Sequence, residues 1–247
     1  MSDKQGQMLD KPGQMLDKPG QSSENGRPIM DMSTHRALPG LAYPEEYLKR
    51  LADELAVKFA GIFNVETVER YVLESYVSLL RAAKVKVHVV VRTVRFATER
   101  LTALAQAKGA IERDVPEVLF VCEQNAGRSQ MAAMLTAYLS GGRVHVRSAG
   151  SMPSSELNPE VIEVMAELGL DLSQEFPKPL TDDVVQAADV VITMGCGDAC
   201  PVYPGKRYQD WDLVDPDGQP MDEVRRIRDD IKGQVAELLG SLGVVAA

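Results

Sequence analysis

The feature that constrains this chain most is an apolar strand that is followed, after one short loop, by a helix. The run Val118–Val121 predicts the strand, and a helical pattern begins near Ser129. The loop between them holds Cys122 and Arg128, which are separated by five residues. Such a turn points its N–H groups and the helix N-terminus inward, so a sulfur nucleophile and a guanidinium face the same oxyanion. This field also favours the nucleophilic thiolate form of a cysteine.

From residue 117 onward, strand and helix patterns alternate. The predicted strands are Val118–Val121, Val144–Ser148 and Asp189–Met194, and the predicted helices are Ser129–Leu139, Pro159–Leu168 with the cap Asn158, one that starts at Thr181, and Val224–Leu239. This alternation predicts a doubly wound α/β domain. Ligands of such sheets bind at the carboxyl ends of the strands, so we expect Cys122, Ser148 and Cys196 to lie near one another.

The N-terminal half shows helical periodicity instead. Apolar residues recur at helical spacing in three stretches, marked by Leu48, Leu51, Leu55 and Phe59, by Val68, Val72, Tyr76 and Leu80, and by Phe96, Leu101, Leu104 and Ala105. The β-branched run Val85–Val91 is also compatible with a strand, but an isolated strand would have no partner nearby. The pattern therefore predicts a three-helix bundle.

The first residues have a different composition. Residues 7–20 repeat the heptad Gln-Met-Leu-Asp-Lys-Pro-Gly, and the stretch up to residue 40 is rich in Ser, Gly, Pro and Asn. Such a stretch buries too little apolar area to offset chain entropy, which predicts a disordered tail, with a partner-docking peptide as the alternative. The predicted division is a tail over 1–40, a helical bundle over 41–110 and the α/β domain over 116–247.

Charge and cysteine usage exclude several classes of protein. The net charge of −9 argues against a nucleic-acid or anionic-membrane surface, and no apolar stretch approaches the roughly 20 residues that span a bilayer. We expect a cytoplasmic protein. Its three cysteines, Cys122, Cys196 and Cys200, are too few for a secreted disulfide framework. Cys196 and Cys200 resemble half of a zinc site, but no further cysteine or nearby histidine completes it, so we predict no metal and no bound cofactor.

Three segments carry a family resemblance. These are the loop of residues 122–129 with Asn125 in its third position after the cysteine, the segment Arg147–Ser151, and the segment Trp211–Pro216. Together they resemble the phosphate-binding loop, the second strand end and the general-acid motif of the low-molecular-weight protein tyrosine phosphatases and of the arsenate reductases that share their fold. The resemblance implies a four-stranded parallel sheet, preceded by the helical extension that some actinobacterial relatives carry.

The resemblance also implies a role for each residue. Cys122 is the nucleophile, and the substrate-binding loop consists of Glu123, Gln124, Asn125, Ala126, Gly127, Arg128 and Ser129. Ser148 helps to hold Asn125 in a strained turn. Asp215 is the general acid, with Asp212 in the same segment as its rival. Because a carboxylate beside the site would oppose anion binding, we expect Glu123 to point outward.

The segment Thr193–Pro201 indicates which branch of the family applies. Its two cysteines, Cys196 and Cys200, resemble the redox loop of thioredoxin-coupled arsenate reductases, although relatives commonly have a longer spacing. The residues after Asp215-Pro216 are not the tyrosines that line the phosphatases' aromatic slot. The resemblance therefore implies arsenate as substrate, catalytic roles for all three cysteines and thioredoxin as external reductant, with mycothiol as the alternative.

Other functions remain open at this point. A phosphomonoesterase needs only Cys122, Arg128 and Asp215, and a non-catalytic oxyanion sensor needs only the loop. The helical bundle is small enough to gain stability by burying a face against another subunit, so we expect a homodimer through it.

Overall fold

The computed structural model describes residues 44–86, 88–195 and 200–244. Three helices come first, α1 (Pro44–Lys58), α2 (Val65–Ala82) and α3 (Val89–Ala107). Helix α2 begins after Asn64, whose side-chain oxygen accepts a hydrogen bond from the Thr67 N–H at 3.0 Å. The predicted three-helix arrangement is confirmed. The last three residues of Val85–Val91 belong to α3, so that run does not form the alternative strand.

The helical bundle has an apolar core that follows the predicted faces. Its buried side chains include Leu48, Leu51, Leu55, Phe59, Val68, Val72, Tyr76, Leu79, Phe96 and Leu101. Leu80 and Leu104, which also match the helical spacing, lie at the edge of this core and are partly buried. Phe176, from the other half of the chain, completes the core and is 3% exposed.

The second half forms the predicted α/β fold. Its elements are β1 (Glu117–Cys122), α4 (Arg128–Ser140), β2 (His145–Gly150), α5 (Pro159–Ala166), α6 (Asp182–Ala187), β3 (Val190–Met194), β4 (Arg207–Asp210) and α7 (Met221–Ser241). The four strands pair in parallel in the order β2-β1-β3-β4. The predicted fold class is confirmed. The residue pattern did not single out β4, because this short edge strand consists of Arg-Tyr-Gln-Asp and contains no β-branched residue.

Each face of the sheet has its own helical cover. Alternate residues of β1 point to opposite faces, so Val118 and Phe120 pack with α4, α5 and α7, whereas Leu119 and Val121 pack with α6. Helix α6 has only six residues. Ala103 of α3 belongs to the same apolar cluster as Leu119 and Val121, so the helical bundle supplies part of the cover for this face.

Charged side chains also join α3 to the α/β half. Arg100 of α3 forms a buried ion pair with Asp183 of α6 at 3.2 Å. Arg147 of β2 pairs with the buried carboxylate of Glu117 at 3.1 Å, and its Nη1 donates to the backbone carbonyl of Glu99 on α3 at 3.0 Å. Breaking a buried pair leaves an uncompensated charge, so these contacts stabilise the packing of α3 against the α/β half. None of the helices in the described ranges is long and apolar enough to cross a bilayer.

Candidate active site

Cys122 is the last residue of β1, where the chain leaves the sheet and turns toward α4. Its side chain is buried, at 2% exposure. The Sγ atom lies 2.9 Å from Ser129 Oγ and accepts a hydrogen bond from the Asn125 N–H at 3.2 Å. These two contacts hold the sulfur at the base of the loop, between the end of β1 and the first turn of α4.

Asn125 adopts a backbone conformation that is rare for a residue with a side chain. Its φ is 49°, in the left-handed region, and the residue is fully buried. Its side-chain Nδ2 donates to Ser129 Oγ at 2.8 Å, and its Oδ1 accepts from the Lys178 N–H at 2.8 Å and from Gln130 Nε2 at 3.1 Å. The strained turn that the resemblance implied is therefore present, and three side-chain contacts hold it.

The support of this turn differs from the prediction in one respect. Ser148 is buried on β2, but the hydrogen-bond partners of the Asn125 side chain are Ser129, which accepts, and Gln130 and Lys178, which donate. Strand β2 contributes through Gly150. A side chain there would place its Cβ 2.7 Å from the Glu123 carbonyl oxygen, so the close approach of β2 to the loop requires a glycine.

Arg128 is the first residue of α4 and its guanidinium is mostly buried. Its Nη2 forms an ion pair with Asp215 Oδ2, and its Nη1 donates to the Leu213 carbonyl at 3.3 Å. The Asp215 side chain is 45% exposed. Asp212, the rival candidate, is exposed, and of the two aspartates it is Asp215 that contacts Arg128.

These groups share one cavity of about 260 Å³. Cys122, Arg128 and Asp215 line it, together with the loop residues Gln124, Ala126 and Gly127 and the wall formed by residues 154–160. Tyrosine, phenylalanine and tryptophan are absent from the described lining. Glu123, which was predicted to point outward, is half-buried and is not among the lining residues.

Lys84 also lines the cavity, although it belongs to the connection between α2 and α3. Nearby, Arg92 of α3 donates to the Ser155 carbonyl of the cavity wall at 3.5 Å. Sequence reasoning missed both residues. Lys84 and Arg92 lie more than 25 residues before the end of β1, and no local sequence pattern links them to it. The connection between α2 and α3 therefore contributes a basic residue to the lining of the cavity.

The two remaining predicted cysteines follow β3. Cys122 of β1 pairs with Met194 in the register of the parallel strands, so Gly195 leaves the sheet beside the Cys122 loop. Cys196 lies outside the described residues. Cys200 is buried, at 9% exposure, in the apolar cluster that also holds Val121 and Val191.

Charged side chains and a helix terminus surround the cavity. In the described ranges no three His, Cys, Asp or Glu side chains cluster in a way that would hold a metal ion. Arg128, Lys84 and the N-terminus of α4 contribute positive charge to the cavity, which is also lined by Glu156, Glu160, Asp215 and Asp217. This arrangement can bind a tetrahedral oxyanion, and Cys122 and Asp215 can act on it as nucleophile and acid.

Comparisons with known proteins agree with this geometry. Residues 117–245 match the model of the low molecular weight phosphotyrosine protein phosphatase family, and residues 48–105 match that of the protein-tyrosine-phosphatase-like N-terminal domain. The solved structure of a thioredoxin-dependent arsenate reductase from Corynebacterium glutamicum superposes with a TM-score of 0.75 and 49% identity, over 81% of this chain and 98% of that one.

Curated relatives match the α/β half. A putative arsenate reductase of Halobacterium salinarum is 42% identical over 127 residues, which are 48% of this chain and 87% of that protein. A glutaredoxin arsenate reductase of Synechocystis is 36% identical over 129 residues, which are 51% of this chain and 98% of that protein. This chain therefore belongs to the low molecular weight phosphotyrosine protein phosphatase family, and within it to the arsenate reductases.

Proposed function

We propose that the protein reduces arsenate to arsenite with its three cysteines and that thioredoxin supplies the electrons. The observation that carries the proposal is the convergence of Cys122, Arg128 and Asp215 on one cavity beside the end of β3, after which Cys196 and Cys200 follow in the sequence. A phosphatase needs the first three residues but has no use for the two thiols.

In the first step, the Cys122 thiolate attacks the arsenic of an arsenate that Arg128 and the N–H groups of residues 123–129 hold. Asp215 gives its proton to the departing oxygen, which leaves as water, and a sulfur–arsenic bond forms. Before substrate binds, Asp215 is a carboxylate paired with Arg128, so it stands next to the anion site. It takes up the proton that it later donates when the oxyanion replaces it at the guanidinium. Ser129 Oγ and the Asn125 N–H contact the Cys122 sulfur and hold it in position for the attack.

In the second step, the Cys196 thiolate attacks the Cys122 sulfur. A Cys122–Cys196 disulfide forms, the sulfur–arsenic bond breaks and its electron pair leaves with arsenite. Cys196 is two residues beyond Met194, whose strand position lies beside Cys122, so the chain length allows this contact.

In the third step, the Cys200 thiolate attacks the Cys196 sulfur. This releases Cys122 and leaves a Cys196–Cys200 disulfide, which thioredoxin reduces with two electrons. Cys200 is buried against β1 and β3, so the segment that carries it has to move during each turnover. The likeness to a thioredoxin-dependent enzyme over 81% of the chain supports thioredoxin, with mycothiol as the alternative thiol donor.

The cavity supports a small inorganic oxyanion over a phosphotyrosine. Its described lining is mostly polar, small or charged, with Leu157, Pro159 and Pro216 as the apolar members, and it contains no aromatic ring against which an aromatic substrate would stack. The thiols that the relay requires persist in a reducing compartment, so we propose a cytoplasmic location.

The helical bundle also supports the proposed homodimer. Val57 of α1, Val65 of α2 and Val91 of α3 are 79%, 48% and 68% exposed. Covering such side chains in a second subunit would contribute apolar burial that a small bundle lacks. Light scattering on the purified protein gives the mass, and a Val91→Glu variant should shift it toward the monomer if the exposed side of α3 lies in the interface.

The relay is tested by arsenate-dependent NADPH consumption with thioredoxin and thioredoxin reductase. We expect multiple turnovers for the unaltered protein and at most one arsenite per chain for Cys200→Ser. Multiple turnovers in this variant would refute the third step. Hydrolysis of phosphomonoesters without arsenate reduction would replace the proposed function by that of a phosphatase.

A further inference from the structure

A five-residue segment, residues 174–178, lies between α3 and the loop of Cys122. We call it the bracing segment. Three polar contacts join it to α3. Arg95 Nη1 donates to the Gln174 carbonyl at 2.7 Å, and Arg95 Nη2 pairs with Glu175 Oε1 at 2.6 Å. Lys178 Nζ pairs with Glu99 Oε2 at 3.0 Å, and the Lys178 side chain is buried.

The apolar contact of this segment is with the same helix. The ring of Phe176 is 3% exposed and packs in the core of the helical bundle. The guanidinium carbons of Arg92 and Arg95 lie 5.5 and 5.7 Å from its centroid. A ring enclosed by cationic groups in this way is restricted in position by packing and by cation–π attraction.

The backbone groups of Phe176 and Lys178 face the opposite direction, toward the site. The Lys178 N–H donates to Asn125 Oδ1 at 2.8 Å, and the Phe176 carbonyl accepts from Gln130 Nε2 at 3.2 Å. The Lys178 carbonyl accepts from the Gly150 N–H at 2.8 Å. Side chains that are fixed by α3 therefore set the position of the backbone groups that hold Asn125.

Asn125 needs this support, because a left-handed conformation of a non-glycine residue persists only where its surroundings enforce it. In this conformation its N–H points to Cys122 Sγ at 3.2 Å. A chain of direct contacts thus runs from Glu99 of α3 through Lys178 and Asn125 to the nucleophile.

We infer that the helical bundle positions the oxyanion loop through residues 174–178, and that Glu99 and Lys178 are positioning residues for Cys122. The inference deepens the proposed function and rests on it for the identity of the oxyanion. Losing the Glu99–Lys178 pair lets the bracing segment shift away from Asn125, and the Asn125 N–H then leaves the sulfur.

The test compares Glu99→Gln and Lys178→Met with Lys178→Arg, which keeps the charge, and with Asp183→Asn as the matched control. Asp183→Asn removes another buried ion pair between α3 and the α/β half but touches no residue of the bracing segment. Alkylation of Cys122 by iodoacetamide is followed against pH, with each cysteine resolved by peptide mass spectrometry. Calorimetry gives the dissociation constants of phosphate and arsenate, and urea unfolding gives stability.

We expect Glu99→Gln and Lys178→Met to move the alkylation profile of Cys122 to higher pH and to weaken oxyanion binding roughly tenfold, within the usual range of couplings between sites. Lys178→Arg should retain most of the oxyanion affinity and most of the original alkylation profile. Asp183→Asn should lower the free energy of unfolding without changing the affinity or the profile. Equal alkylation profiles in the unaltered protein and in Glu99→Gln, or equal changes in Asp183→Asn and Glu99→Gln, would overturn the inference. Failure of the proposed function shows separately, as a lack of arsenate turnover in the unaltered protein.

Discussion

A single added methyl group at Gly195 should weaken oxyanion binding by displacing the guanidinium of Arg128. Gly195 has a φ of +70°, and a Cβ built on it would lie 2.9 Å from Arg128 Nη1. The left-handed conformation costs a non-glycine residue about 1–2 kcal/mol, and the smaller entropy of the unfolded alanine chain returns about 0.4–1 kcal/mol. For Gly195→Ala the free energy of unfolding should therefore fall by about 1 kcal/mol from the backbone alone.

The larger effect falls on binding, because the guanidinium has to move away from the new methyl group. Arg128 then loses its alignment with Asp215 and with the Leu213 carbonyl. Hydrogen bonds to charged groups are worth about 1.5–3 kcal/mol. Since each 1.4 kcal/mol is a factor of ten, the affinity for phosphate or arsenate should fall by roughly 10- to 100-fold.

Gly205→Ala is the matched control. Gly205 has a φ of +79°, and a Cβ there would meet no atom within 4 Å. In urea unfolding, both variants should lose a similar free energy of unfolding from the left-handed backbone. Calorimetry should show weakened oxyanion binding only for Gly195→Ala. Equal affinities in the two variants would refute the idea that the turn after β3 holds Arg128 in place.

Three further changes test other parts of the site. Asp215→Asn should lower kcat for arsenate reduction by about 100-fold or more, the usual contribution of a general acid. The first turnover, measured as a burst of arsenite, should slow as well, because Asp215 acts before Cys200 is needed. Lys84→Met should raise KM for arsenate several-fold more than it lowers kcat, because an ammonium group that lines the cavity assists anion binding rather than proton transfer; steady-state kinetics separates the two. Burial raises the pKa of Glu117, but the hydrogen bond to His145 and the charge of Arg147 outweigh it, and the pKa lies below its ordinary 4.5. The stability that this carboxylate contributes is complete above pH 4.5 and is lost as the pH falls through the lowered pKa. Glu117→Gln should therefore cost about 3 kcal/mol at pH 7, and the difference from the unaltered protein should shrink in acid, as measured by urea unfolding.

Much of the fold was predictable because its signals are local. The run Val118–Val121 is buried on both faces of the sheet, and Asn158 caps α5 by accepting from the Val161 N–H, as its position in the sequence indicates. Strand β4 escaped prediction because an edge strand needs no apolar alternation.

The part of the site that lies in one continuous loop was predictable from the sequence. Cys122 and Arg128 are fixed by the turn between β1 and α4, and the resemblance added Asp215. The partners of Asn125 were not predictable in the same way. Lys178 reaches it with a backbone N–H, which any residue except proline would supply, so its side-chain identity gives no signal.

The position of Ala103 has a consequence for dissecting the protein. Since Ala103 fills a place in the apolar cluster on one face of the sheet, a fragment that began at residue 116 would present Leu119 and Val121 on a thinly covered surface. Such a fragment is expected to self-associate or to need solubilising substitutions on that face. A chimaera that exchanges the helices for those of a relative would have to preserve a small residue at position 103, where a larger one would push the helix off the sheet.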